Sequence, residues 1–174
     1  MIAETVDIGA LAARLHSRAV GGSRVLLGVC GAPGAGKSTL AGQLVAELNR
    51  VVPGSAVVVP MDGFHLAASV IAVDDRATRR GAPDTFDPGG LAALLQRVRA
   101  GVEEIVYAPE YRREIEDPVA GAIEVRSDCP IVVVEGNYLL LPEWESVRVL
   151  LDEVWFLRAP VEEQRVAQLI QRHQ

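Results

Sequence analysis

The chain has 174 residues, of which 49% are hydrophobic and 23% are charged, which excludes a disordered protein and allows one globular domain with a sizeable core. The net charge is −6 and no basic run exists to neutralise a phosphate backbone, which argues against nucleic acid as the main partner. No apolar run approaches the length of a membrane-spanning helix, so no membrane association is expected.

The N-terminal residues and the cysteines indicate the cellular compartment. The first 20 residues carry Glu4, Asp7 and Arg14, which do not fit a signal peptide. Cys30 and Cys129 lie far apart, each beside a predicted buried strand, so two buried free thiols are expected. These features predict a cytoplasmic protein.

Four elements are predicted in the first part of the chain: a helix over 8–22, a strand over 24–29, a helix over 38–50 and a strand over 56–64 that runs into a loop. Asp7 is a plausible cap for the first helix, and Gly21 ends it. The run RVLLGV suits a buried strand. Apolar residues recur with helical spacing from Leu40 to Leu48.

Further elements follow in order: a polar loop over 74–88, a helix over 88–101, an extended piece over 103–111, a hairpin-like excursion over 112–125, a strand over 130–141, a short helix over 142–151, a strand over 152–157 and a helix over 160–173. Asp87 and Pro88 are typical of the cap and the first residue of the helix over 88–101. Strands that alternate with helices predict a three-layer α/β fold, with a mostly parallel sheet covered by helices on both faces.

The stretch CGAPGAGKSTLAGQL, residues 30–44, contains a phosphate-binding motif. Gly31, Gly36, Lys37 and Ser38 fit the spacing G-x-x-x-x-G-K-[ST], and the motif lies between a predicted strand and a predicted helix. Backbone N–H groups of such a loop converge on phosphate oxygens. The predicted nucleotide-binding residues are Gly31, Ala32, Pro33, Gly34, Ala35, Gly36, Lys37, Ser38 and Thr39. Lys37 would reach the β- and γ-phosphates of ATP, and the Ser38 hydroxyl would bind Mg²⁺.

Two acidic residues follow hydrophobic strands. Ligands of open α/β sheets bind beyond the carboxyl ends of the strands, so Asp62 and Glu135 should lie near the phosphate loop. Asp62 is a candidate general base for phosphoryl transfer to an alcohol. Glu135 is a candidate Mg²⁺ ligand. Asp87, in DPGG, superficially matches a GTPase motif, but no hydrophobic strand precedes it and the role of helix cap explains it.

Five segments together carry a family resemblance: GAPGAGKST, PMDGFHL, RRGAPDTFDPGGL, YAPEYRREIEDP and VVVEGNYLLL. In this order they resemble the superfamily of uridine kinase, phosphoribulokinase and type I pantothenate kinase. They are most similar to a bacterial branch described as nucleoside/nucleotide kinase-like or fructose-transport-system kinase-like. The resemblance begins at about residue 23 and covers most of the chain.

The resemblance implies a P-loop NTPase fold over residues 1–174, an excursion at about 108–127 and a lid helix at about 160–173. It implies ATP-dependent phosphorylation of a small metabolite, with Asp62 as the base and Glu135 at the metal and the acceptor. Tyr111 would line the acceptor pocket. Further residues implied on the acceptor side are Phe64, His65, Arg80 and Arg113. Arg165 of the lid helix would contact the phosphates, whereas Arg172 could simply be exposed.

Two further readings stay open: a nucleotide-dependent regulatory ATPase without an acceptor, and a module that binds ATP without turnover. The first would favour an N-K-x-D motif, which is absent. Family members usually continue beyond the last helix into another strand, so this chain is expected to be truncated at its C-terminus. The sequence leaves the oligomeric state open, since Trp144 and Trp155 could lie in a core or at an interface between subunits.

Overall fold

A parallel four-stranded sheet lies at the centre of the protein, in a computed structural model that describes residues 7–158. The strands of the chain are β1 (Val25–Gly31), β2 (Ala56–Pro60), β3 (Ile105–Arg112), β4 (Asp117–Arg126), β5 (Ile131–Gly136) and β6 (Glu153–Leu157). The central sheet has the order β2-β5-β1-β6, and its three neighbouring pairs are all parallel. The carboxyl ends of β1, β2 and β5 therefore meet at one edge of the sheet.

Helices cover both faces of this sheet. α1 (Ile8–Ala19) and α2 (Lys37–Val51) lie on one face, and α4 (Pro88–Ala100) and α5 (Glu145–Arg148) lie on the other. A further short helix, α3 (Ala68–Ile71), follows β2. Short 3₁₀ turns occupy Met61–Phe64, Asp75–Arg79, Pro83–Thr85 and Pro142–Trp144. The α/β architecture predicted from the sequence is confirmed.

Side chains of β1 and β5 alternate between the two faces, as the period of a strand requires. Leu26 and Val132 face a core that contains Leu91 and Leu95 of α4. Val29 and its neighbours on the other face pack against α1 and α2. Both strands are buried along their whole length. This explains why they read as continuous apolar runs rather than as alternating ones.

The region of the expected excursion is an antiparallel hairpin of β3 and β4 that forms a separate two-stranded sheet. It begins at Ile105, slightly before the predicted start. A two-stranded hairpin is marginal by itself. Val106, Ala108 and Val125 anchor it to the core that contains α4.

The structure can also be compared with several finer predictions. Cys30 and Cys129 are buried free thiols, as predicted. Trp144 is fully buried, so it belongs to the core, whereas Trp155 is partly exposed. No helix within residues 7–158 combines the length and the apolar character needed to cross a bilayer. The predicted lid helix, with Arg165 and Arg172, lies outside the described residues.

Two predictions need correction. The short helix predicted over 142–151 is a 3₁₀ turn followed by α5 and ends at Arg148; the chain then enters β6, and just before this strand the Asp152 carboxylate accepts a hydrogen bond from the Leu26 amide (2.8 Å). The loop predicted over 74–88 is not wholly at the surface. Phe86 and Thr85 are buried there, and the Phe86 ring packs against His65 and Trp144.

Asp87 is the N-cap of α4, since its carboxylate accepts a hydrogen bond from the Gly90 amide (2.8 Å). Replacement of Asp87 by Ala should lower the free energy of unfolding by about 1 kcal/mol, because one terminal amide loses its partner. Urea denaturation followed by circular dichroism measures the change. Asp87→Ser is the matched control and should retain most of the stability. Equal loss in both variants would contradict the capping role.

Candidate active site

The phosphate-binding loop joins β1 to α2. Gly34 and Gly36 have positive φ angles of 75° and 90°, which favour glycine, and Gly36 is the N-cap of α2. Gly31 is required for a different reason: a Cβ there would lie 2.6 Å from the carbonyl oxygen of Leu157 in β6. The loop can therefore turn tightly at the positive end of a 15-residue helix, which suits an anion.

Lys37 begins α2 and is only 7% exposed. Its ammonium donates a hydrogen bond to the carbonyl of Ala32 in the same loop (3.1 Å). Burial of a charged side chain costs free energy unless other groups compensate it. A lysine held in this position is suited to meet the negative charge of a phosphate.

Ser38 and Glu135 come from opposite parts of the chain and meet at the carboxyl edge of the sheet. The Ser38 hydroxyl donates a hydrogen bond to a carboxylate oxygen of Glu135 (3.2 Å), and Glu135 is 7% exposed. Glu135 is paired in register with Val29 of β1 and Pro60 of β2. A hydroxyl and a carboxylate in contact form a hard oxygen donor pair of the type that Mg²⁺ prefers.

The turn that carries Asp62 lies beside Glu135. Asp62 follows β2 by two residues, in a 3₁₀ turn over Met61–Phe64. A Cβ on Gly136 would lie 2.6 Å from Cβ of Met61, so the ends of β2 and β5 are in close contact. The backbone of Asp62 is thereby brought to the same edge as Ser38 and Glu135.

The hairpin closes on this turn from the other side. A Cβ on Gly63 would lie 2.3 Å from the carbonyl oxygen of Pro109 in β3. The pairing of β3 with β4 is irregular between Ala108 and Glu110, at the position of Pro109. Glycine at position 63 thus permits the hairpin backbone to lie directly against the Asp62 turn.

Aromatic side chains surround the turn. The His65 ring centroid lies 3.9 Å from that of Phe86 and 4.7 Å from that of Tyr111. Nδ1 of His65 is 2.8 Å from the Asp62 carbonyl oxygen. A carbonyl only accepts, so Nδ1 carries the hydrogen in this contact.

Arg80 lies over Tyr111, with its guanidinium carbon 5.7 Å from the ring centroid. It donates a hydrogen bond to the carbonyl of Glu116 and lies 3.4 Å from a carboxylate oxygen of Asp117. Asp117 also accepts a hydrogen bond from the Ala68 amide (2.8 Å). This network links the hairpin to the segments that follow β2.

Two phenols lie within electrostatic range of Asp62. Burial raises the pKa of Tyr111; Arg80 opposes this change, and the carboxylates of Glu116, Asp117 and Asp62 add to it. Burial also raises the pKa of Tyr138, with a further contribution from Asp62. The Asp62 carboxylate is therefore close enough to both phenols to oppose their ionisation.

Solved structures and curated proteins that are similar to this chain show the family to which it belongs. A candidate fructose transport system kinase from Silicibacter sp. TM1040 has a TM-score of 0.83 and 35% identity, covering 97% of this chain and 82% of that chain. An ATP-dependent kinase-like protein of Aspergillus versicolor is 38% identical over 122 residues, 65% of this chain and 70% of that protein. The chain belongs to the P-loop kinase superfamily of uridine kinase, phosphoribulokinase and type I pantothenate kinase.

Other relatives of this chain are longer. A candidate uridine kinase of Schizosaccharomyces pombe is 37% identical over 146 residues, which are 80% of this chain but 61% of that protein. A pantothenate kinase of Latilactobacillus sakei is 32% identical over 126 residues, 71% of this chain and 40% of that protein. No profile of a known protein family matches the chain.

The predicted site residues differ in how closely the structure groups them. Ser38 and Glu135 are in contact, and His65, Tyr111 and Arg80 form one connected group. Phe64 is buried in the core that contains α4, which suits packing. Arg113 is exposed in the hairpin turn, and within residues 7–158 its guanidinium makes no ion pair.

Sequence reasoning missed three residues of this region: Phe86, Asp117 and Tyr138. Each lies in a segment that carries the family resemblance, and that was the available signal. Their importance depends on contacts between segments far apart in the chain, which neither spacing nor periodicity reports. The ring of Phe86, for example, joins His65 to Tyr138 (centroid distances 3.9 and 5.6 Å).

The close approach at Gly63 can be tested directly. Gly63→Ala would force apart the hairpin and the Asp62 turn, because a rigid backbone oxygen occupies the space of the new methyl group. We expect the free energy of unfolding to fall by about 1–3 kcal/mol, as measured by urea denaturation.

Gly42→Ala in α2 is the matched control, since nothing lies within 4 Å of its added Cβ. That variant should be as stable as the original protein or more stable, because alanine is the better helix former. If Gly63→Ala were as stable as the control, the proposed steric constraint would be wrong.

Proposed function

We propose that this chain is an ATP-dependent phosphotransferase that moves the γ-phosphoryl group to a hydroxyl of a small metabolite, such as a nucleoside, a sugar or a pantothenate-like alcohol. The hydrogen bond between Ser38 and Glu135 carries the proposal, because it joins the phosphate loop to a second strand end. A carboxylate in that position is what P-loop enzymes require for a metal-bound nucleotide. The names of the relatives support the same class of reaction.

The donor set fits Mg²⁺ rather than a transition metal. Within residues 7–158 no group of three or more His, Cys, Asp or Glu residues could hold a metal ion by itself. Mg²⁺ is usually held by one or two protein oxygens together with substrate phosphates and water. Ser38 and Glu135 would supply the protein oxygens. The bound ion would neutralise negative charge on the β- and γ-phosphates.

We propose the following roles for residues of the chain in the reaction. Amides of residues 31–39 and the Lys37 ammonium hold the phosphates. The acceptor oxygen attacks the γ-phosphorus; the bond from phosphorus to the β–γ bridging oxygen breaks, and its electron pair stays on ADP. Asp62 takes the proton of the acceptor hydroxyl. Arg165, outside the described residues, is proposed to contact the transferring group.

The acceptor side is proposed to lie between the Asp62 turn and the hairpin. His65, Tyr111 and Arg80 are the described residues that support this, since they form a connected group beside Asp62. Phe64 and Arg113 remain weaker candidates, because one is buried and the other is exposed. Exclusion of water from this region would protect ATP from hydrolysis.

Phosphotransferase activity can be tested with a panel of acceptors. ADP production should rise when one member of a set containing uridine, pantothenate, fructose and glycerate is added to ATP and Mg²⁺. Asp62→Asn should reduce the stimulated rate by about 10²-fold or more while nucleotide binding, measured by calorimetry, is unchanged. The charge is lost but the size of the side chain is kept.

Asp128→Asn is the control for this experiment, because Asp128 is exposed and pairs with Arg126 just before β5, at the opposite end of the sheet. It should retain full activity. Hydrolysis of ATP that no acceptor stimulates would favour a regulatory ATPase instead. Nucleotide binding without turnover would favour a binding module, and full activity of Asp62→Asn would refute its role as the base.

The metal role of Glu135 predicts a second result. Glu135→Gln keeps an oxygen that can accept from Ser38 but removes the negative charge. The Mg²⁺ concentration that gives half-maximal ADP production should therefore rise by about tenfold or more. Glu124→Gln, on an exposed position of the hairpin, is the control. An unchanged Mg²⁺ dependence in Glu135→Gln would exclude Glu135 as a ligand.

A further inference from the structure

The phenol of Tyr138 connects the segment 75–87 to the loop that follows β5. The Tyr138 hydroxyl donates a hydrogen bond to the carbonyl oxygen of Gly81 (2.6 Å). Tyr138 follows Glu135 by three residues, so its backbone belongs to the loop that leaves the candidate metal site. This contact therefore connects the carboxyl end of β5 to a segment 57 residues away in the chain.

The conformation of Gly81 is adapted to this contact. Its φ angle is +91°, in the region that favours glycine, and no heavy atom lies within 4 Å of an added Cβ. The requirement for glycine at this position is thus conformational rather than steric. The Gly81 amide is bound as well, since it donates to the Thr85 hydroxyl (3.1 Å). Both backbone groups of Gly81 are therefore fixed.

The ring of Tyr138 is held independently of its hydroxyl. It makes an edge contact with Phe86 at a centroid distance of 5.6 Å and lies 6.4 Å from Trp144. Loss of the hydroxyl alone would leave these ring contacts in place. The hydrogen bond to Gly81 can therefore be removed without a cavity in the core.

Arg80 is the residue that this arrangement would control. It immediately precedes Gly81 and lies over the ring of Tyr111. On the hairpin side, Arg80 is held by the Glu116 carbonyl and the Asp117 carboxylate. On the β5 side, its backbone neighbour is held by Tyr138. Arg80 is thus fixed from two directions.

We propose that Tyr138 is a positioning residue, which acts through Gly81 to hold Arg80 against Tyr111 on the acceptor side of the site. The inference rests on the proposed function, because Arg80 matters only if an acceptor binds beside it. Tyr138 itself need not touch the acceptor, since its hydroxyl hydrogen is used by Gly81. Its loss should weaken acceptor binding and leave the phosphate end of the site intact.

The test uses Tyr138→Phe, with Tyr107→Phe as the matched control because Tyr107 is exposed on the hairpin. With the acceptor that stimulates turnover, Tyr138→Phe should raise the acceptor KM about five- to tenfold, the effect of one lost hydrogen bond, while kcat changes less than about twofold. The control should change neither. A lower kcat at unchanged KM would overturn the proposal.

A double variant, Arg80→Ala with Tyr138→Phe, tests whether Tyr138 acts through Arg80. In an Arg80→Ala background, Tyr138→Phe should change the acceptor KM by less than about twofold, because a residue that acts through Arg80 has nothing left to position. The same five- to tenfold change in both backgrounds would mean that Tyr138 acts by another route, and the proposal would fail.

Hydrogen–deuterium exchange of the protein without acceptor separates this inference from the proposed function. Amides of residues 79–87 should exchange faster in Tyr138→Phe than in Tyr107→Phe, with α2 unchanged. Equal exchange in the two variants would overturn the tether. Faster exchange, together with no turnover of any acceptor by the original protein, would support the tether and refute the transferase.

Discussion

The contact between Ser38 and Glu135 depends on one constraint, the parallel pairing of β1 with β5. Because the two strands run side by side in the same direction, the loop after β1 and the acid at the end of β5 reach the same edge of the sheet. A sheet with another strand order would separate the hydroxyl from the carboxylate, although each local motif would be intact. The candidate site is therefore a property of topology as much as of sequence.

A second constraint is the presence of glycine where segments of the chain lie in close contact. Gly136 allows Met61 to lie against the end of β5, and Gly63 allows Pro109 to lie against the Asp62 turn. These contacts join three segments that are remote in sequence. The position of the Asp62 backbone is consequently fixed by packing on both sides, and the carboxylate that we propose as the base would benefit from such a rigid support.

The sequence predicted those parts of the protein that depend on local pattern. The phosphate loop, the two acids after hydrophobic strands, the cap at Asp87 and the separate hairpin are all encoded within short segments. Tyr138 and Phe86 could not be found in this way. Their partners, Gly81 and His65, lie 57 and 21 residues away, and an aromatic residue with such a partner has the same local pattern as any core residue.

Arg24, at the opposite end of the sheet, is another residue whose contacts could not be predicted from local sequence patterns. Its guanidinium donates to four carbonyl groups, those of Val98, Arg126, Ser127 and Cys129, and burial lowers its pKa. It therefore ties the end of α4 and the end of the hairpin to the start of β1. In the sequence it is simply the charged first residue of the predicted strand over 24–29. Because the hairpin also carries Tyr111 of the proposed acceptor side, this clamp would support the candidate site from a distance, by fixing one element on which its residues lie.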